Sequence, residues 1–244
     1  MAYTLDQYVQ VHTQPHQHVQ AFEHPNGNEK MLQINFGVPS SSGAPLNIVW
    51  IKHNSMVAHR GEVGFRREGV LEHGVGNMLK KAATSEGVSL TQATANTRAQ
   101  LFLADYGKEV TIFRLQGDSI SVNGNDLLAF EQSVSHKINM LKKVSSILAG
   151  GLFNVKLSGH GFVAILTHGK PIALTVEQGK PPVYTDPNAT VAWSGELSPE
   201  FKTDIQFKSL FGRGSGESFQ MKFDGSLGHA GFVLVQPYEE HESS

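Results

Sequence analysis

The sequence predicts a mainly all-β fold with at most one or two short helices, built as a single compact prism or barrel from three pseudo-symmetric repeats. Turn-forming residues recur every 8 to 12 positions between short apolar runs, which is typical of closed or sandwiched β proteins. Residues 101–107 match residues 163–169, 62 positions later, and residues 77–81 match 139–143 at the same offset. Residues 232–237 are a looser third copy. Internal repeats of this length decide architecture before any local pattern does.

The strand patterns begin after a polar first part. Residues 1–30 are rich in Gln and His and form a polar lead-in that can supply an edge strand. Residues 31–36 and 46–51 predict the first two strands, and the β-branched runs at 110–115 and 172–176 predict two more. Glycine-containing turn signals predict the hairpins, and they lie at residues 105–108, 116–118, 123–125, 167–170 and 178–180.

Each repeat has a corner where a small residue precedes a ring and follows Asn or Asp turn chemistry. A glycine then closes a later turn in two of the copies. We expect a structural role for the corner and turn residues, which are Ala58, Ala129, Phe130, Ala192, Trp193, Gly107 and Gly169.

The repeat spacing sets the domain boundaries. It predicts a single domain over residues 31–238, with repeats at approximately 46–107, 108–169 and 170–238, followed by a tail at 239–244. Apolar residues at helical spacing predict one short helix or turn within residues 133–148, and residues 70–82 are its weaker counterpart.

Composition limits the function. The 244 residues carry 20 basic and 22 acidic side chains, a balance that disfavours nucleic-acid binding. No cysteine is present, so disulfides and sulfur-based zinc sites are excluded. No apolar stretch approaches the ~20 residues of a membrane span, and the first 25 residues show no targeting signal. We therefore expect a cytoplasmic protein without a cofactor.

Three motifs carry a family resemblance, at residues 159–166, 215–219 and 228–236. They are similar to the triplicate pattern of the altered-inheritance-of-mitochondria (AIM) family, called TRAP-like after the tryptophan RNA-binding attenuation protein. The likeness covers about residues 46–237. It implies three TRAP-like β-units with pseudo-threefold symmetry, a bacterial member of unknown function, and no catalytic residues. Where the family pattern has Gly-Glu-Gly, this chain has Gly216-Glu217-Ser218.

His16, His18 and Glu23 form the one enzymatic hypothesis. Two His residues one position apart on a strand point the same way, and a nearby carboxylate would complete half of a cupin-like metal site. The preceding glycine and the second His motif of such a site are missing. A solvated polar lead-in is the competing interpretation.

The sequence therefore favours a non-enzymatic binding or scaffold module that forms homo-oligomers or binds a protein partner. A cupin-like enzyme for a metal or small molecule is the first alternative. RNA binding is the second, because Lys80-Lys81 and Lys142-Lys143 could form a basic patch, but neighbouring acidic residues offset it. The enzyme question stays open, with the balance against catalysis.

Overall fold

The computed structural model describes residues 4–13, 20–67, 90–140, 153–203, 219–227 and 229–238. Within these ranges the chain forms three antiparallel sheets of four, ten and three strands, together with one α-helix. The mainly all-β prediction is confirmed. The described strands lie in open sheets, and none of these sheets closes into a barrel.

The polar lead-in contains the helix, α1, which spans Leu5–His12 and buries none of its residues. A reciprocal capping box starts it. The Gln7 backbone N–H donates to the Thr4 hydroxyl at 3.2 Å, and the Thr4 backbone N–H donates to Gln7 Oε1 at 3.0 Å. The lead-in also supplies an edge strand, β1 (Phe22–Glu23), which pairs with β2 (Leu32–Phe36).

The remaining strands fall into three sets along the chain. Strand set 1 contains β2, β3 (Ile48–Lys52), β4 (Met56–Arg60), β5 (Gly64–Arg67), β6 (Leu90–Thr94) and β7 (Ala99–Leu103). Strand set 2 contains β8 (Glu109–Asn123), β9 (Leu127–Glu131), β10 (Val134–Met140) and β11 (Phe153–Thr167). Strand set 3 contains β12 (Ile172–Val176), β13 (Val183–Thr185), β14 (Thr190–Ser194), β15 (Glu200–Thr203), β16 (Phe219–Phe223) and β17 (Gly231–Val235).

The same pairing scheme occurs in all three sets. In set 1, β7 pairs with β2 and β4, while β6 pairs with β3 and β5. In set 3, β17 pairs with β12 and β14, while β16 pairs with β13 and β15. In set 2 the long strand β8 corresponds to both β2 and β3, and the long strand β11 corresponds to both β6 and β7. The end of β11 pairs with the start of β8 and with β9, and its beginning pairs with the end of β8 and with β10.

Two joints connect the sets into the ten-stranded sheet. At the first joint β9 pairs with β3, and Phe130 lies opposite Trp50. At the second joint β14 pairs with the end of β8, and Trp193 lies opposite Ser121. We call β4, β9 and β14 the corner strands, because they contain Ala58, Ala129 and Ala192. In both joints the corner strand of one set pairs with a strand of the set before it.

One predicted hairpin turn is wrong. Residues 116–118 lie inside β8, which continues from Glu109 to Asn123. Gly117 has a φ of +99°, and the pairing of β8 with β11 shifts register beside Gly159, whose φ is +107°. The glycines therefore make a bulge within a long hairpin, because glycine adopts positive φ without steric cost.

The helix predicted within residues 133–148 is also wrong where the structure describes it. Residues 134–140 form β10 and pair with β11 in continuous register. Val134 is buried while Ser135 and Lys137 are exposed, an alternation that suits a strand with one face covered. Residues 141–148 and 70–82 lie outside the described ranges.

Three clusters of buried side chains form the described core. Cluster 1 is built mainly from set 1 and includes Leu32, Ile34 and Leu101. Cluster 2 is built mainly from set 2, around Phe130 and Leu157. Cluster 3 consists of set 3 residues alone, namely Val176, Trp193, Leu197, Met221, Phe223 and Val233, with Val183, Phe201 and Val235 packed against them.

No helix in the described part of the chain is long and apolar enough to cross a membrane.

The turn glycines yield a stability prediction. Gly107 and Gly169 have φ values of +73° and +74°, and a Cβ added at Gly107 would meet no atom within 4 Å. We expect Gly107→Val to lower the free energy of unfolding in urea by about 1–2 kcal/mol, through backbone strain alone. Gly107→Asn is the matched control, because asparagine tolerates positive φ and should cost less. Equal stability of the valine variant and the parent would contradict the turn role.

Candidate interaction surface

A β-bulge marks the corner strand of every set. In β4 the pairing with β7 runs from Met56 opposite Leu103 directly to Ala58 opposite Phe102, so Val57 is the extra residue. In β9 the pairing with β11 skips Leu128 in the same way. In β14 the pairing with β17 skips Val191. Ala58, Ala129 and Ala192 therefore each follow the extra residue of a bulge.

The bulge sends two consecutive side chains into the core of the preceding set. A regular strand alternates its side chains between two faces, and an extra residue breaks that alternation. Leu128 and Ala129 belong to set 2, yet they pack in cluster 1 and are 0% exposed. Val191 and Ala192 belong to set 3, yet they pack in cluster 2. Burial of such a pair contributes about 2–4 kcal/mol to each joint.

The corresponding residues of set 1 are exposed. Val57 is 53% exposed and Met56 is 43% exposed. Ala58 is exposed as well, whereas Ala129 and Ala192 are fully buried. β4 is the last strand of its sheet, so among the described residues no strand pairs with its outer edge.

A group of three rings seals the first joint. The Trp50 ring stacks on the Phe130 ring at a centroid distance of 6.4 Å. The His136 ring of β10 lies 5.2 Å from each of them. At the exposed β4 edge two rings occupy the matching positions. His59 occupies the position in β4 that Phe130 occupies in β9. The Phe65 ring of β5 lies 6.1 Å from the His59 ring, measured between ring centroids.

The β13 edge is the second exposed edge of interest. β13 pairs with β16, and it is a terminal strand of its sheet. Its counterparts β3 and β8 each pair with a corner strand on the other side. Tyr184, which corresponds to Trp50 and Ser121 in the pairing scheme, is 51% exposed.

The residue that ends each corner strand binds the neighbouring strand. Glu131 is 1% exposed, and its Oε2 accepts a hydrogen bond from the Phe162 backbone N–H at 3.2 Å. Ser194 Oγ accepts from the Phe232 N–H at 2.9 Å in the matching position. In set 1, Arg60 Nη1 donates to Gln100 Oε1 at 2.7 Å. The buried Glu131 carboxylate therefore has a structural role.

Ion pairs fix the turn that contains Gly107 against the start of the β9 corner. Lys108 Nζ lies 3.2 Å from Asp126 Oδ1, and both side chains are buried. Lys52 Nζ lies 2.7 Å from Asp105 Oδ2 and also donates to the Asn125 carbonyl at 2.7 Å. These contacts lock set 1 to set 2 beside the first joint.

Of the three residues in the metal-site hypothesis, the structure describes Glu23. His16 and His18 lie outside the described residues. Glu23 lies on β1, where its Oε1 accepts hydrogen bonds from Gln33 at 2.8 Å and from Asn35 at 3.0 Å. No cluster of three or more His, Asp or Glu with metal-ligand geometry occurs among the residues that the structure covers.

Set 3 contains a cavity of about 200 Å³, smaller than a usual ligand pocket. Its lining is Glu196, Leu197, Ser198, Phe223, Asp224 and His229. Hydrogen bonds from Lys222 and Ser226 hold the pKa of Asp224 far below its usual range. A hydrogen bond from the Ser119 hydroxyl, and then the charge of Lys156, lower the pKa of Glu196. Both carboxylates are therefore ionised at neutral pH, and each is paired with a lysine, Asp224 with Lys222 and Glu196 with Lys156.

A family model described as Mitochondrial biogenesis AIM24 matches residues 42–238, which is most of the chain. The chain belongs to the AIM24 family. This AIM24-family chain is also similar to the crystal structure of protein SPYM3_0169 from Streptococcus pyogenes, with a TM-score of 0.65 and 20% sequence identity. The match covers 89% of this chain and 93% of that chain, and at this identity it shows the fold alone. The comparison with curated proteins gives no match.

Sequence reasoning singled out the corner residues but missed three residues of the exposed surface, Val57, Phe65 and Tyr184. The corner motif contained Val57, yet only Ala58 was singled out from it. Phe65 and Tyr184 lie outside the motif. The alignment of the repeats could have identified both residues, because Phe65 aligns with His136 and Tyr184 aligns with Trp50.

The buried ion pair predicts a large stability effect. Lys108→Met should lower the free energy of unfolding by about 3–5 kcal/mol, because it leaves the Asp126 carboxylate buried without the ammonium. Denaturant unfolding measures the change. The double variant Lys108→Met/Asp126→Leu is the control and should recover much of the loss. A single variant as stable as the parent would contradict this role.

His53 predicts a pH dependence. Burial, and then the charge of Arg67, lower the pKa of His53 below its ordinary value of 6.5. The unfolded chain therefore takes up a proton at higher pH than the folded chain does. We expect the His53 contribution to be complete above pH 6.5 and to decline as pH falls through that value. Unfolding curves of the parent and His53→Asn at several pH values test this, and parallel pH profiles would refute it.

Proposed function

We propose that the chain is a non-enzymatic binding or scaffold module that associates with copies of itself or with a protein partner through exposed strand edges. One contrast carries the proposal. All five residues of β4 are exposed, all five of β9 are buried, and four of the five in β14 are buried. The corner strand is thus an interface element in two sets and is exposed in the third.

The chemistry of this edge suits a β-strand partner. An edge strand presents backbone N–H and C=O groups that a further strand can pair with. The exposed apolar side chains of Met56 and Val57 add a hydrophobic contribution on partner binding. The combination of backbone groups with apolar side chains favours a polypeptide partner over a nucleic acid.

We also propose that the three strand sets are copies of one TRAP-like module. The shared pairing scheme, the bulge in each corner strand and the matching register of the two joints support this. Because β2 corresponds to the start of β8 and to β12, the first copy would begin near residue 32 and not near 46.

Mass measurement tests the proposed function. We expect light scattering of the untagged protein to give multiples of the 26.6 kDa chain as concentration rises. A mass of one chain at every concentration would contradict self-association. Stoichiometric bound metal that is lost in a His16→Ala/His18→Ala variant would contradict the non-enzymatic proposal, and the parent and this variant should instead contain equally little metal.

A further inference from the structure

We infer that the chain associates head to tail, with the β4 edge of one copy pairing with the β13 edge of the next. The inference rests on the proposed function and specifies its partner as a second copy of this chain. It follows from the two internal joints, which show what a corner strand does when it has a neighbour.

The first argument is continuity of the pairing scheme. Set 2 supplies β9 to the β3 edge of set 1, and set 3 supplies β14 to the β8 edge of set 2. Continuing this series requires a corner strand for the β13 edge of set 3. Among the described residues β4 is the corner strand whose outer edge has no pairing, and β13 is the strand that lacks a corner partner.

The second argument is complementarity of the cores. Clusters 1 and 2 each contain a bulged pair from the following set, Leu128 with Ala129 and Val191 with Ala192. Among the residues that the structure describes, cluster 3 contains no such pair from another set. Val57 and Ala58 form the remaining bulged pair, and Val57 is 53% exposed. A second copy would place this pair against cluster 3 and remove its apolar surface from water.

The third argument is the ring arrangement. The internal joints predict the register of the intermolecular pairing, with Tyr184 opposite His59 and Thr185 opposite Ala58. In this register Tyr184 takes the position of Trp50, while His59 and Phe65 take those of Phe130 and His136. Two of these three rings already lie in contact on one copy. The third, Tyr184, is half exposed at the other edge.

The contact is heterologous, because the two edges differ. Repetition of a heterologous contact gives a closed ring when the rotation closes and an open filament when it does not. Pairing between the two edges of one chain is the competing arrangement, and the experiment below separates the two.

Disulfide trapping tests the register, and the protein has no native cysteine that could form competing disulfides. One protein carries Ala58→Cys and a second, isotopically labelled, carries Thr185→Cys. We expect mild oxidation of the mixture to link labelled to unlabelled chains, because directly opposed strand residues have disulfide geometry. Tyr106→Cys mixed with Thr185→Cys is the control. Residue 106 is 97% exposed but belongs to the turn between β7 and β8 and not to the β4 strand, so it should link poorly.

The double variant Ala58→Cys/Thr185→Cys identifies the occupant of the edge. Disulfide-linked multimers on a denaturing gel support a second copy. A disulfide-linked single chain would overturn the inference in favour of closure within one chain, and so would linkage no greater than in the Tyr106→Cys control.

A charge substitution tests the interface without using disulfides. Val57→Lys should weaken self-association by about tenfold or more in sedimentation experiments, because it places an ammonium against an apolar core. Ile172→Lys is the matched control, since Ile172 is 59% exposed on β12. It should associate like the parent. If the parent forms oligomers and Val57→Lys forms them equally well, this interface is wrong while the proposed self-association stands.

Discussion

The β-bulge in the corner strands is the constraint on which the rest of the architecture depends. A strand without it would send neighbouring side chains to opposite faces, and one of each pair would miss the adjoining core. With the bulge, Leu128 and Ala129 both enter the core of set 1, and Val191 and Ala192 both enter that of set 2. The cores of sets 1 and 2 are therefore each completed by the set that follows. The chain becomes a row of sets with two unlike ends.

Much of this fold could be predicted from the sequence, because strand periodicity and internal similarity are local signals. The alternation at residues 31–36 and 46–51 identified β2 and β3, and the mainly all-β class followed from the turn spacing. The prediction failed where two structures share one local pattern. Gln116-Gly117-Asp118 has the composition of a turn, but the partner strand β11 holds it as a bulge. Val134 and Ile138 fit a helix as well as a strand, and pairing with β11 decided between them.

The candidate surface was only half predictable, for a physical reason. Ala58, Ala129 and Ala192 were identified together because their sequence contexts match. Their burial differs because the atoms that cover Ala129 and Ala192 come from another strand set. Nothing near Ala58 in the sequence shows whether its covering set exists within the chain. Helix α1 shows the opposite case, since the Thr4 and Gln7 capping pair is a local signal that could have revealed it.

An exposed apolar edge invites indiscriminate pairing, and the same bulge limits that risk. Natural sheets protect their edges with short strands, charged side chains and bulges that twist the edge away from a flat partner. β4 combines two of these features, since it ends at Arg60 and carries its bulge at Val57. A partner with a flat strand would leave the Val57 and Ala58 side chains uncovered, and its binding would gain little free energy from them. Only an edge backed by an open apolar core can accept both side chains, so one feature promotes the specific contact and discourages others.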